Sequence, residues 1–207
     1  MLRLLLIRHG ETPWNAAARF QGQSDVPLNH RGRHQADALA RVMAGEAIQA
    51  LYASDLRRAW QTAQAIAAIT GLTAQPEPRL REMSFGGWEG LTYGDIERRD
   101  HGALTAWQAA PSEVSPPQGE TLTQLADRVR QAYDDMVGKH MGHTVALVAH
   151  GGPLQVLLCL ALGLPPGSYW QLRIDLGSIS ELRIYAPGAI LTRLNDTHHL
   201  DEASDDG

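Results

Sequence analysis

Apolar residues gather in short runs of strand length at Leu2–Ile7, Ala50–Ala53, Thr144–Ala149, Glu181–Tyr185 and Ile190–Leu194. Between them lie longer segments with helical periodicity, and helices are expected at His30–Met43, Leu56–Thr70, Thr121–Val137 and Pro153–Leu162. Asn29, Asp55 and Gly119 stand where N-terminal caps are useful, because the first N–H groups of a helix lack partners. Gly71 and Gly163 stand where left-handed C-terminal caps are favoured. Alternating strands and helices predict an α/β fold, a three-layer α/β/α sandwich with a mostly parallel sheet. Only Ala186-Pro187-Gly188-Ala189 separates the last two runs, a turn-sized link that makes them an antiparallel pair at one edge.

From Pro76 to Gly119 the pattern weakens: Pro76, Pro78, Pro111, Pro116 and Pro117 interrupt it, leaving short helical stretches around Tyr93–Arg99 and Leu104–Ala109. Residues 76–119 are therefore expected to be an insertion over the sheet, the usual place for a substrate lid. At the far end, Asp196 to Gly207 carries five carboxylates and no Lys or Arg, which predicts a solvated, frayed acidic tail.

Composition narrows the class. A chain of 207 residues fits one domain with an elaboration and buries enough surface to need neither disulfide nor metal. With 18 Lys+Arg against 23 Asp+Glu, the net charge of −5 supplies no field for nucleic acid or anionic lipid. Lys139 is the single lysine, so the cations are almost all arginine, whose planar fork suits phosphate and carboxylate. Cys159 stands alone and cannot form an internal disulfide, which suits a reducing, cytoplasmic setting. The apolar start Met1–Ile7 is too short for a signal-peptide core and leads into Arg8-His9 without a cleavage site, so it is read as a buried strand. No stretch has the length of a membrane span.

Two of the apolar runs end alike, in Ile7-Arg8-His9-Gly10 and Ala149-His150-Gly151-Gly152. Ligands bind beyond the carboxyl ends of parallel strands, so both His-Gly corners are expected on one rim. A third run ends in Ser54-Asp55 and opens a helix carrying Arg57 and Arg58, either of which would face the same rim. Helix N-termini with added guanidinium groups make a phosphate site. A neutral imidazole there can attack phosphorus and form a phosphohistidine. A leaving alkoxide also needs a proton, and Glu82 and Glu89, in Leu80-Arg81-Glu82-Met83-Ser84-Phe85-Gly86-Gly87-Trp88-Glu89-Gly90, are both candidates on the residues alone. Gly138-Lys139 lacks the glycine spacing of a P-loop, and no dinucleotide, zinc-protease or nucleophile-elbow motif is present. His140, His143, His198 and His199 have no acidic or cysteine partner at ligand spacing and are read as solvated, so no metal is expected.

Leu6-Ile7-Arg8-His9-Gly10-Glu11-Thr12 with Trp14-Asn15, Arg19-Phe20-Gln21-Gly22, Ser54-Asp55-Leu56-Arg57-Arg58-Ala59, Gly119-Glu120-Thr121-Leu122 and Val148-Ala149-His150-Gly151-Gly152 together resemble the histidine phosphatase superfamily, in its phosphoglycerate-mutase-like branch. That resemblance implies His9 as the phosphorylated nucleophile, with Arg8, Arg58 and His150 completing the phosphate pocket. It singles out Glu82 as general acid and Arg58 over Arg57, and it places Asn15, Gln21, Gly22 and Gly151 along the phosphate or substrate. It implies no metal or nucleotide cofactor, and a small phosphorylated metabolite as substrate. The branch holds both mutases and phosphatases. Cofactor-dependent mutases carry a Trp-Arg-Arg motif for a second acidic group, whereas the like-placed stretch here is Trp107-Gln108-Ala109. Gly86-Gly87-Trp88-Glu89-Gly90 is similar to the phosphatases, α-ribazole phosphatase and broad-specificity types among them. The resemblance therefore favours a phosphatase. A mutase is the alternative, then a phosphate-binding pseudoenzyme. A homodimer through a sheet edge is left open.

Overall fold

In the computed structural model, which describes residues 1–201, the central strand is β1 (Leu2–Arg8). It is followed in chain order by α1 (Pro13–Ala16), α2 (His30–Met43), β2 (Ala50–Ala53), α3 (Arg57–Thr70) and β3 (Ala74–Pro76). Next come α4 (Tyr93–Ala109), α5 (Leu122–His140), β4 (Thr144–Ala149), α6 (Gly151–Leu162), β5 (Ile179–Tyr185), β6 (Gly188–Asp196) and α7 (His198–Asp201). The six strands form one sheet in the order β3-β2-β4-β1-β5-β6. β3, β2, β4 and β1 run parallel, while β5 runs against β1 and pairs antiparallel with β6 at the edge, as the short link between them requires.

The inner strands read as near-continuous apolar runs because helices cover both faces. Leu2, Leu4 and Leu6 of β1 point with Val145, Leu147 and Ala149 of β4 into a core shared with Leu125, Val129, Leu154 and Leu157 of α5 and α6. Leu5 and Ile7 point the other way, with Ala146 and Val148, onto Leu39 and Met43 of α2 and Ala59, Ala63 and Ile66 of α3. The period-two alternation thus divides one strand between two cores, and this is the physical content of the three layers. A third, small cluster of Trp88, Ile96 and Leu104, with Phe20, Phe85 and Trp107 against it, consolidates residues 85–109.

Helix limits follow the capping chemistry. Asn29 caps α2 by accepting from Gly32 N–H, and Gly71 and Gly163 adopt the left-handed conformation (φ 72° and 70°) after α3 and α6. Two expected caps do not act as caps. Asp55 turns its carboxylate to Arg81, with Arg81 Nε donating at 2.7 Å, and α3 begins after Leu56 without a side-chain cap. Gly119 is displaced by Thr121, which forms a reciprocal capping box with Gln124 at the start of α5. Gly119 itself is needed for close approach, since a Cβ there would lie 2.5 Å from the Ser84 carbonyl oxygen.

The two stretches expected around Tyr93–Arg99 and Leu104–Ala109 are the two halves of α4, which is broken at Asp100, whose φ of −136° and ψ of 37° leave the helical region. β3 was not visible in the hydrophobic pattern, because it is only three residues long and ends in Pro76. The acidic tail begins with defined structure: Asp196 closes β6, and His199 of α7 bonds the Gly177 carbonyl at 3.0 Å. Residues 202–207, the rest of that tail, lie outside the described residues. Among the described residues no helix is long and apolar enough to cross a membrane.

Candidate active site

β1 and β4 are adjacent and in register, Arg8 opposite Ala149, so the chain leaves both strands at the same rim. His9 N–H donates to the Ala149 carbonyl at 3.0 Å, which locks the two His-Gly corners together. The imidazole centroids of His9 and His150 are 5.0 Å apart in an edge-on arrangement, and both rings are shielded from solvent.

The tautomers follow from the partners. His9 Nδ1 lies 2.6 Å from the Gly10 carbonyl oxygen. A carbonyl only accepts, so the proton sits on Nδ1 and the Nε2 lone pair is left free. For His150 the roles reverse: Arg58 Nε–H donates to Nδ1 at 3.1 Å, so Nε2 carries the proton and donates to Ser54 Oγ at 2.8 Å. Burial, reinforced by the positive charges of Arg58 and Arg8, holds both histidines well below their ordinary pKa, so both are neutral.

Arg58 sits on the first turn of α3 and is fully buried. Its terminal nitrogens donate to the carbonyls of Ser24 at 2.9 Å and Gly22 at 2.7 Å, and burial pulls its pKa down to about 10. Arg57, one residue earlier, is exposed, and its N–H goes to Asp25 Oδ1 at 2.7 Å. Arg8 donates from Nη1 to the Ile174 carbonyl at 2.6 Å, while its buried Nε finds no partner among the described residues. Gly151 lies flat against that guanidinium, with its Cβ position 3.5 Å from Arg8 Cζ.

The two glutamates separate cleanly. Glu89 accepts from Gln23 N–H, Ser24 N–H, Ser24 Oγ–H and Phe85 N–H at 2.6–3.1 Å, which saturates its carboxylate and ties two loops together. Gly22 permits this, because its φ of 53° is left-handed and a Cβ would lie 2.0 Å from Glu89 Oε1. Glu82 instead lines the cavity, with Oε1 accepting from Met83 N–H at 2.9 Å and Oε2 lying 3.4 Å from Gly152 N at the start of α6.

A cavity of about 260 Å³ brings together Arg8, His9, Asn15, Gln21, Gly22, Arg58 and Glu82, and Ala18, Arg19, Phe20 and Phe85 line it as well. Phe20 and Phe85 meet edge-on at 4.9 Å. His150 and Gly151 stand behind this wall, reaching it through Arg58 and Arg8. Three hydroxyls absent from the expected set support the site. Ser54 accepts from His150. Thr62 Oγ1 takes Gly10 N–H at 3.2 Å and donates to the Arg58 carbonyl at 2.8 Å. Thr12 Oγ1 donates to Gln21 Oε1 at 2.9 Å. Ser54 immediately follows β2, so the strand-end rule that flagged the histidines also points to it. Arg98 and Arg99 lie outside the cavity, Arg98 on the surface paired with Asp95. Among the described residues no cluster of three or more His, Cys, Asp or Glu side chains is arranged to hold a metal ion.

Phosphoserine phosphatase 1 of Hydrogenobacter thermophilus is 31% identical over 202 residues, 98% of this chain and 96% of that protein. A probable phosphoglycerate mutase of Yersinia pestis is 36% identical over 206 residues, covering 97% and 96%. A putative α-ribazole-5'-P phosphatase of Escherichia coli superposes with a TM-score of 0.88 at 31% identity, over 94% of this chain and 96% of the other. A mycobacterial glucosyl-3-phosphoglycerate phosphatase in complex with VO3 gives a TM-score of 0.86 at 34% identity, over 94% and 99%. Residues 4–197, from within β1 to beyond the end of β6, match one family throughout, and the chain belongs to the histidine phosphatase superfamily (branch 1).

Proposed function

We propose that this protein is a metal-independent phosphomonoesterase that hydrolyses a small phosphorylated metabolite through a phosphohistidine on His9. The observation that carries the reading is the state of that ring: neutral, with Nδ1–H committed to the Gly10 carbonyl and the Nε2 lone pair available beside Arg8 and Arg58. In the first step Nε2 forms a bond to phosphorus, the phosphorus–oxygen ester bond breaks, and Glu82 in its acid form gives the leaving oxygen a proton. The imidazole gains positive charge as it is phosphorylated, and the Gly10 carbonyl on Nδ1–H stabilises that charge. In the second step Glu82, now a carboxylate, takes a proton from water. The water oxygen bonds to phosphorus, the phosphorus–nitrogen bond breaks, and inorganic phosphate leaves with His9 restored. Arg8 and Arg58 stabilise the charge on the transferring oxygens in both steps.

Hydrolysis is favoured over mutase chemistry by the cations of the cavity. Beyond Arg8 and Arg58 it offers one guanidinium, Arg19, which already donates to the Gly90 carbonyl. Trp107-Gln108-Ala109, the stretch that the resemblance sets against the mutases' Trp-Arg-Arg, carries no guanidinium, and the Gln108 amide donates to Tyr93 OH at 3.4 Å. Residues 76–119 supply Glu82 and Phe85 to the cavity, which supports their role in reading the non-phosphate part of the substrate.

The test is inorganic phosphate release from a panel of monoesters with EDTA present, including phosphoserine, an α-ribazole phosphate and glucosyl-3-phosphoglycerate, with His9→Ala as the blank. Release that survives EDTA and vanishes in His9→Ala is the expected result. Wild-type rates in His9→Ala would remove the covalent mechanism. Rapid interconversion of 2- and 3-phosphoglycerate with little phosphate release would make the protein a mutase.

A further inference from the structure

Glu82 lies in an irregular stretch, between a 3-10 turn at Pro78–Leu80 and another at Gly86–Trp88, so regular secondary structure does not fix its direction. Its backbone is held instead from α5. Arg128 Nη1 donates to the carbonyls of Arg79 at 2.7 Å and Arg81 at 2.6 Å, and Arg128 Nη2 donates to the carbonyl of Glu82 itself at 2.9 Å. The guanidinium is aimed by Glu120, which accepts from Nε at 2.8 Å and from Nη2 at 2.9 Å. The same carboxylate takes Ser84 N–H at 2.8 Å, so the Arg128–Glu120 pair grips the chain on both sides of the acid. Gln23 Nε2 adds a second donor to the Glu82 carbonyl at 3.2 Å, and it comes from the loop whose carbonyls hold Arg58.

We propose that Arg128, held by Glu120, is a positioning residue for the general acid: it sets the carbonyls of residues 79, 81 and 82 and thereby aims the Glu82 carboxylate at the leaving oxygen. Arg128 itself does not line the cavity. A planar fork with five N–H groups can serve three carbonyls and a carboxylate at once, which a single ammonium cannot. Burial by itself would raise the Glu120 pKa, but the hydrogen bond and charge of Arg128, together with the donors of Ser84 and Gln23, hold it below the ordinary carboxylate value. The flanks of the segment have anchors of their own, Arg81 on Asp55 and Arg79 on Glu77 and Asp135. Loss of Arg128 therefore releases the acid without releasing the whole segment.

The inference rests on Glu82 being the acid, and the experiment keeps the two apart. The quantity measured is the ratio of kcat/KM for an alkyl monoester, β-glycerophosphate, to that for p-nitrophenyl phosphate. Both are assayed on the same sample, so any unfolded fraction cancels. Acid catalysis contributes about 10²–10⁴ where the leaving group needs a proton, so Glu82→Gln is expected to depress the ratio strongly. Arg128→Ala should depress it about tenfold, with Arg128→Lys between it and wild type; in a Glu82→Gln background Arg128→Ala should leave it unchanged. An unaltered ratio in Arg128→Ala, or a further loss of similar size in the Glu82→Gln background, overturns the positioning role. A wild-type ratio in Glu82→Gln overturns the acid assignment and this inference with it.

Discussion

Replacing Gly152 by alanine separates the geometry of the proposed acid, Glu82, from the stability of the fold. Gly152 lies in the first turn of α6, with its N 3.4 Å from Glu82 Oε2. A Cβ built there lies 2.5 Å from Glu82 Oε1, 3.5 Å from Glu82 Cδ and 3.6 Å from Leu125 Cδ2. Only the first of these is too close, and the carboxylate oxygen must retreat by about 1 Å to reach ordinary van der Waals contact. The backbone accepts the change, because alanine in a helix is favoured over glycine by about 0.5–1 kcal/mol. Misplacing a reacting group by about 1 Å costs roughly a hundredfold in rate. Gly152→Ala is therefore expected to keep or slightly raise Tm while lowering kcat/KM for alkyl monoesters about a hundredfold. p-Nitrophenyl phosphate, whose leaving group needs little protonation, should suffer less. Thermal unfolding and steady-state kinetics on the two ester classes decide it. Wild-type rates on both would refute the placement of Glu82, and a large drop in Tm would refute the claim that only the carboxylate yields.

Ser54→Ala should destabilise the fold by about 1–3 kcal/mol, since it leaves the buried Nε2–H of His150 without an acceptor, and an unchanged denaturation midpoint would contradict the tautomer assigned to that ring. Acid should weaken the fold through His9 and His150. Both are held well below the ordinary value of 6.5, so the unfolded chain binds more protons there; the stability they lend is complete above about pH 6.5 and is lost as the pH falls toward the folded values, at up to about 1.4 kcal/mol per pH unit for each ring. Urea denaturation at stepped pH should show this loss in wild type and a smaller one in His9→Ala, and a flat profile between pH 7 and 5 would show the rings to be protonatable in place.

Much of the frame is legible from period alone. β1, β2 and β4 are parallel strands buried on both faces, so each carries a near-continuous apolar run, and α2 and α3 carry apolar stripes whose last buried members are Met43 and Ile66. The site's first tier is legible for the same reason, because two strand ends carrying His-Gly must share a rim once the strands are parallel. What local pattern cannot show is the second tier. Glu89 and Glu82 look equivalent in sequence, and only four donors arriving from residues 23, 24 and 85 make one of them a strut. Asp55 has the right type and place for a helix cap, yet a guanidinium 26 residues away competes better for its carboxylate than the N–H groups of α3. β3 is too short for any periodicity to register, and its pairing with β2 places it.

On the proposed mechanism the same two arginines serve both the binding and the reactivity of the cavity. Burial first, and the charges of Arg58 and Arg8 after it, keep a proton off His9 and His150, which leaves the Nε2 lone pair of His9 available. The guanidiniums bear the cost in turn: burial lowers the pKa of each, and Arg8 Nε has no partner within the described residues. A phosphate dianion reverses the balance. It would offer an acceptor to Arg8 Nε–H, and its negative charge would offset the two cations that, with burial, disfavour an imidazolium. The ring can then take on positive charge as the nitrogen–phosphorus bond forms, with Gly10 O already on Nδ1–H to receive it. On the proposed mechanism His9 stays neutral until the substrate is seated, and the charge that seats the substrate also eases the build-up of positive charge on the ring.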